Sequence, residues 1–243
     1  MTKTMRETIL KVVSCTNCQL CQGCRSPVPL SVPTAGLPSI TREARGGFIV
    51  LGEAPGRLED LQGKPFVGPA GRYLKARLRD SGLDPSEGIY LNVVSCWPHG
   101  TPERQHIQAC RGNLYDQLLQ ASQRAHHLLV AGSIALSSLL PHVEMKNVLG
   151  SWLPYPPFPG LYLYPVQHPS FIAHKASRDK QENWKALIRT FAGTMEIADM
   201  LGGGTCVYCN RSRDKGKTVC FKHGEKWRQD ATWKPGVVQE KLL

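Results

Sequence analysis

Apolar positions along this chain change period several times, and that alternation sets the expected architecture. FIVLG (48–52) is a continuous apolar run closed by glycine, which predicts a buried strand. Pro69 to Ser81 carries Tyr73, Leu74 and Leu78 at helical spacing and stops before Gly82. IYLNVV (89–94) predicts a second strand, and Glu103 to Ala121 places Ile107, Leu114, Leu118 and Leu119 on one side of a helix. HHLLVAG (126–132) predicts a third strand, Ser133 to Leu140 a short helix, LYLYPV (161–166) a fourth strand, and 177–198 a last amphipathic helix. Strands alternating with helices predict an α/β fold, a three-layer sandwich whose central parallel sheet of about four strands is covered on both faces. In such sheets the ligand sits beyond the carboxyl ends of the strands. That rule selects Glu53 after the first strand, Asn92 in the second and His168 after the fourth, all polar and all at one edge.

The flanks read differently. Residues 1–13 suit a short helix, 14–24 are cysteine-rich, and 25–47 are loop-like with Pro, Gly and Ser. GGG (202–204) reads as a hinge, separating a main domain of residues 1–200 from a basic tail of residues 203–243.

Composition adds a partner. With 243 residues, 41% of them hydrophobic, the chain can bury a full core. Its formal net charge of +11 points to a polyanion, most simply nucleic acid. No apolar run reaches the roughly 18 residues that a membrane span needs. MTKTMRETILKVV lacks the apolar core of a signal peptide, so a cytoplasmic monomer is expected, without a membrane partner. Nine cysteines in a reducing compartment argue for metal or cluster binding over disulfides. Cys15, Cys18, Cys21 and Cys24 are spaced three apart, and Cys96 and Cys110 follow the second strand and lie in the next helix. Six thiols therefore compete for the four places of an iron–sulfur cluster, with plain buried thiols as the ordinary alternative for the rest.

The stretch GEAPGRLEDLQGKPFVGPAG (52–71) poses a chemical puzzle. A strand ending in a glycine-rich turn usually cradles phosphate, yet Glu53, Glu59 and Asp60 repel phosphate. That stretch, with NVVSCWP, IQACRGNL and HPS in the same order over roughly residues 10–195, resembles the iron–sulfur uracil-DNA glycosylases of family 4. The resemblance implies a [4Fe–4S] cluster on Cys15, Cys18, Cys96 and Cys110. The CTNCQL frame favours the first pair, while Cys21 and Cys24 depart from the family pattern and leave a shifted register open.

The resemblance also gives the acids a purpose. Breaking an N-glycosidic bond builds positive charge on the sugar and negative charge on the departing uracil. It implies that Glu53 orients or activates water near the sugar, that Ala54 and its neighbours offer backbone N–H groups to uracil, and that Phe66 stacks on the flipped base. Asn92 suits the N3–H and O4 edge, because an amide donates and accepts at once. His168 suits donation to O2, and Glu59 a supporting role, bracing the loop or the Asn92 side. The segment SFIAHKASRDK (170–180) then becomes the intercalation loop, with Phe171 or Ile172 as wedge and Lys175, Arg178 and Lys180 meeting phosphates. Arg72, Lys75, Arg77 and Arg79 form a second basic run, equally suited to a solvated helix face.

The expected activity is excision of uracil from DNA by a monofunctional hydrolase that leaves an abasic site. The alternative is a non-turnover or covalent uracil-DNA binding protein of the same superfamily. Its covalent members carry a basic insertion with a reactive histidine, whereas WPHGTPERQHIQAC here is short, with His99 and His106 outside any insert. An electron carrier is a third class, favoured only if Cys15 to Cys24 hold a cluster alone. Beyond the resemblance, Cys206, Cys209, Cys220 and His223 have the CxxC and CxxH pairing of tetrahedral zinc. Their short basic module carries nine Lys and Arg against four Asp and Glu between residues 206 and 243.

Overall fold

The computed structural model describes residues 3–33 and 47–195. The hinge and the zinc-type tail, with Cys206, Cys209, Cys220 and His223, lie outside the described residues, as does the boundary at residue 200. Five strands form one sheet: β1 (Phe48–Gly52), β2 (Ile89–Asn92), β3 (His127–Ala131), β4 (Leu153–Pro154) and β5 (Tyr162–Val166), in the order β2-β1-β3-β5-β4. The four expected strands pair in parallel, with Gly52 opposite Asn92 and Val50 opposite Leu129. The fifth is a correction to the expected parallel sheet of about four strands. It is a two-residue edge strand running antiparallel to β5, too short to carry any period.

Side chains alternate across a strand, so each strand feeds both faces. Ile49, Leu51, Ile89, Leu91, Leu128, Val130 and Leu163 point to one core, where they meet α1 (Lys3–Val13), α5 (Arg104–Ser122) and α6 (Ser133–Leu139) through Met5, Leu114, Leu118 and Leu136. Phe48, Val50, Leu129, Ala131, Tyr164 and Val166 point to the other. There they meet α4 (Pro69–Asp80), α8 (Pro169–Lys175) and α9 (Arg178–Gly193) through Leu74, Leu78, Ile172, Trp184 and Phe191. The connection from β1 to β2 thus runs on one face and that from β2 to β3 on the other, which opens the sheet's crevice at the carboxyl end of β1.

Four helices fall in stretches for which the hydrophobic pattern predicts none: α2 (Leu20–Gly23), α3 (Arg57–Gln62), α7 (Met145–Val148) and α8, which occupies the start of the expected intercalation loop. Of these α3 matters for the site, because it lies inside the glycine-rich turn. It starts after Gly56, whose N–H donates to Glu59 Oε2 at 3.2 Å, and it ends at Gly63 in the left-handed region (φ 63°).

Candidate active site

The end of β1 is built for close approach. A Cβ on Gly52 would stand 2.5 Å from Asn92 Oδ1 and 2.7 Å from Phe66 Cζ, so the bare glycine lets the amide and the ring converge. Phe66 itself has φ 56°, a left-handed backbone that is strained for an aromatic residue. Gly71 accommodates that strain, since a Cβ there would lie 2.4 Å from the Phe66 carbonyl. Behind the Phe66 ring sits Tyr90, with centroids 5.5 Å apart, and Lys75 Nζ lies 4.4 Å from the Tyr90 centroid. Burial holds the Lys75 ammonium below its ordinary pKa, against the opposing pull of Glu59.

Ala54, Glu59, Phe66, Asn92 and His168 line one cavity of about 190 Å³, together with Gly56, Gly68, Pro69, Ala70 and Gly71. Pockets for drug-sized ligands start at about 300 Å³, so this one suits a single ring. Glu53 does not line the cavity. It follows β1 directly, half-buried, with its carbonyl accepting from Val94 N at 3.1 Å, and burial raises its carboxyl above the ordinary value. Glu59 is buried and fixes the loop from within: Oε1 accepts from Gly68 N at 2.7 Å while Oε2 accepts from Gly56 N. A Cβ on Gly68 would meet both of those oxygens at 2.9 Å. Of the two braces considered from sequence, the loop is the one observed.

His168 heads α8. Its Nδ1 accepts from Ser170 N at 3.2 Å, which favours the tautomer with the ring proton on Nε2, and Ser170 Oγ lies 2.7 Å from the same nitrogen. Burial holds its pKa below the ordinary histidine value, which keeps the ring neutral. Gly132, at φ 103°, makes room beneath it, since a Cβ there would lie 3.2 Å from His168 Cβ. Sequence reasoning passed over Ser170, Tyr90 and Gly132. The serine of HPS carried a local signal, whereas the ring behind Phe66 came from a strand residue with no mark of function.

The expected wedge divides by exposure. Phe171 is 43% exposed, but Ile172 is 1% exposed and packs into the core under α8. The one-residue difference follows from helical geometry, which turns Ile172 inward with Pro169 and Phe171 outward. Ile172 is therefore withdrawn as a wedge. Lys175, Arg178 and Lys180 are exposed. In the other basic run, Arg72 donates to Val67 O of the preceding turn at 2.9 Å and Arg77 pairs with Asp80 of its own helix at 3.1 Å, so half of that run has partners within the chain.

The cysteines gather on the far side of Ala54. Cys96 and Cys110 are buried with Leu20 and Val94, and Cys18, Cys21, Cys24 and Ala54 pack against them. Cys96 faces Cys24, Cys110 and Cys18, while Cys110 faces Cys18 and Cys15; burial pushes both buried thiols up, Cys110 to about 11. Among the described residues no three potential ligands stand close enough for a single ion. A four-iron cluster spreads its thiolates over separate irons, so a wider set of thiols is the arrangement it requires. Cys18, near both buried thiols, and Cys15, near Cys110, fit such a set, but Cys24 also does, through a side-chain hydrogen bond to Cys96, so the shifted register stays open; Cys21 Sγ instead donates to Cys18 O at 2.9 Å.

A mostly parallel α/β sheet with a ring-sized pocket at the end of its first strand places the candidate site at the sheet's carboxyl edge. Comparison with known proteins shows its family: the chain belongs to the uracil DNA glycosylase superfamily, whose family model matches residues 41–192. It is 34% identical to a type-4 uracil-DNA glycosylase of Pyrobaculum aerophilum over 40% of this chain and 50% of that protein. The type-4 uracil-DNA glycosylase of Saccharolobus solfataricus is 35% identical over 42% of this chain and 48% of its own length. That of Thermotoga maritima is 32% identical over 54% of this chain and 69% of its own. The chain thus spans about half the length of the first two relatives. Among the described residues no helix is long and apolar enough to cross a membrane.

Proposed function

We propose that this protein excises uracil from DNA by hydrolysing its N-glycosidic bond and leaving an abasic site. The observation that carries the reading is the convergence, in one ring-sized cavity, of Phe66, Asn92 and His168, whose Nδ1 accepts from Ser170 N. Phe66 supplies a stacking face worth about 1–3 kcal/mol per base. Asn92 reads the N3–H and O4 edge, and Ala54 with the glycines of the turn gives backbone access to the base. As the bond stretches, negative charge grows on uracil O2, and His168 Nε2–H donates to it without first losing a proton to solvent. Positive charge grows on the sugar, and the half-buried Glu53 carboxylate, beside the cavity, attracts it and orients water. Glu59 keeps the walls in place.

The base must leave the duplex first, which costs a few kcal/mol. Phe171 is the proposed wedge, and Lys175 and Arg178, with Lys180, are the proposed phosphate contacts. Cys15, Cys18, Cys96 and Cys110 are the proposed ligands of a [4Fe–4S] cluster, which when bound supplies a cross-link between the cysteine segment, the loop after β2 and α5 rather than redox chemistry on substrate. Residues 1–200 are proposed as the glycosylase domain, acting as a cytoplasmic monomer. Residues 203–243 are proposed as a zinc-binding module on Cys206, Cys209, Cys220 and His223 that adds nonspecific DNA affinity.

Lys75 rests on Tyr90 and does not line the cavity, which supports hydrolysis over Schiff-base chemistry. His99 interacts with Gly23 O at 3.1 Å and stacks on Trp97, and His106 Nδ1 accepts from Glu103 N, which supports turnover over covalent capture. Incubation with a uracil-containing oligonucleotide tests the reading. Alkali-labile strands that stay intact before alkali are expected. A stable protein–DNA adduct would assign covalent capture instead, and neither product would leave a binding protein.

A further inference from the structure

The acidic pair on α3 faces two directions. Glu59 holds Gly56 N and Gly68 N in the pocket wall. Asp60, the next residue, is 6% exposed, and its two carboxylate oxygens accept from a single donor, Arg25 N, at 2.9 and 3.1 Å. Arg25 directly follows Cys24, in the segment that carries the four closely spaced cysteines. A buried carboxylate is costly unless it is hydrogen-bonded, so a bond from a residue 35 positions away in sequence is no incidental contact. The same segment is fastened to the other cysteine-bearing loop by Val28 N donating to Ser95 O at 2.6 Å and by His99 meeting Gly23 O. Helix α3 is only six residues long, so its two carboxylates move together.

We propose that Asp60 is a positioning residue that couples the cysteine segment to the base pocket. With the segment in place, Arg25 N anchors α3 through Asp60, and Glu59 then holds the Gly56 and Gly68 amides at the cavity. With the segment released, α3 loses its anchor and the wall loosens. The significance of this coupling for catalysis rests on reading the cavity as the uracil site and the thiols as cluster ligands.

The test is amide hydrogen exchange at Gly56 and Gly68 in the full chain as purified, with iron content and visible absorbance measured on the same sample. Asp60→Ala should speed exchange at both amides by about tenfold or more, the scale of a lost charge-assisted hydrogen bond, with iron content unchanged. Asp60→Asn, which keeps one acceptor oxygen, should fall between. Removing iron by chelation should loosen the same two amides in the unaltered chain and add little in Asp60→Ala, the non-additivity expected of coupled parts. Unchanged protection at Gly56 and Gly68 in both variants overturns the proposal, as does an equal, additive response to chelation. A further readout separates coupling from stability: the KM for uracil-containing oligonucleotide should rise more than kcat falls. Because exchange is read without substrate, a protein that fails to excise uracil but shows the coupling would refute the proposed reaction and leave this inference standing.

Discussion

The two regions that flank the pocket are made in opposite ways. In the turn from Gly52 to Gly71, two carboxylates are buried and committed to backbone N–H groups, Glu59 to Gly56 and Gly68 and Asp60 to Arg25, while Arg57 and Lys64 of the same turn are exposed. From Ser170 to Lys180, across the cavity, charges are exposed and a phenylalanine stands out from its helix. The first region fixes where a ring sits. The second leaves its cations and an apolar tip exposed, and the proposed reading gives them to DNA. On the proposed reading, the glycine-rich turn with its buried acids gives the pocket its shape, and the exposed cations after Ser170 give a salt-screened attraction for a polyanion.

The largest effects should come from the fixed region and its partner histidine. His168→Ala removes the proposed donor to uracil O2, and single-turnover excision should fall by about 10²–10³, the usual loss for one such donor. DNA affinity and its salt dependence should stay as they are. A His168→Ala protein that keeps full excision rate would end the proposed division of labour. Gly71→Ala comes next. Its methyl would meet the Phe66 backbone at 2.4 Å, where nothing flexible can give way. Overpacking of this kind costs about 1–3 kcal/mol, and the backbone that sets Phe66 must shift, so both melting temperature and uracil affinity should drop.

Much of this contrast is legible in the residues, and what is not has physical causes. The four parallel strands announce themselves through apolar runs, and strand ends deliver Asn92 and His168 to one edge because the fold class dictates it. α3 stays hidden, since Gly56, Gly63 and three prolines outweigh a six-residue helix in any periodicity. A glutamate three residues after Gly56 is the trace it leaves, and the reciprocal bond to Gly56 N explains that spacing. Asp60 is illegible in principle, because its partner is 35 residues upstream and no local pattern encodes the meeting. Phe171 and Ile172 differ only in helical phase, which a seven-residue helix is too short to reveal without knowing what it packs on.

Acidification separates the two charged groups of the pocket side by sign. Burial holds His168 below the ordinary histidine value of 6.5 and Glu53 above the ordinary carboxyl value of 4.5. The working forms are neutral histidine and ionised glutamate, so both are lost as protons are added. Excision should be level above about 6.5 and fall on the acid side, and Glu53→Gln, slower throughout, should keep only the histidine limb. Stability responds differently. The unfolded chain protonates His168 first, so that contribution is complete above 6.5 and is lost as pH falls through the lower folded value. Glu53 protonates first in the folded chain, so its contribution is present at low pH and is lost as pH rises through its raised value. The two oppose, and melting temperature should change less with pH than excision does; a melting curve that tracks the rate profile would mean that acid acts by unfolding.

The smallest effects belong to the exposed region. Lys175→Ala and Arg178→Ala should each weaken binding evenly across DNA sequences and lower the slope of log affinity against log salt by about one, with excision at saturating DNA unchanged. Phe171→Ala should leave that slope alone and slow excision from duplex more than from single strands, because only the duplex has a stack to fill when the base leaves. If instead the slope is unmoved by either cation and excision drops at saturation, those side chains shape the pocket, and the contrast between a fixed turn and a salt-sensitive grip fails at its outer edge. A slope that falls only when Arg72 or Arg79 is removed would move the grip to α4, whose first turn already carries Gly71 beneath the Phe66 backbone.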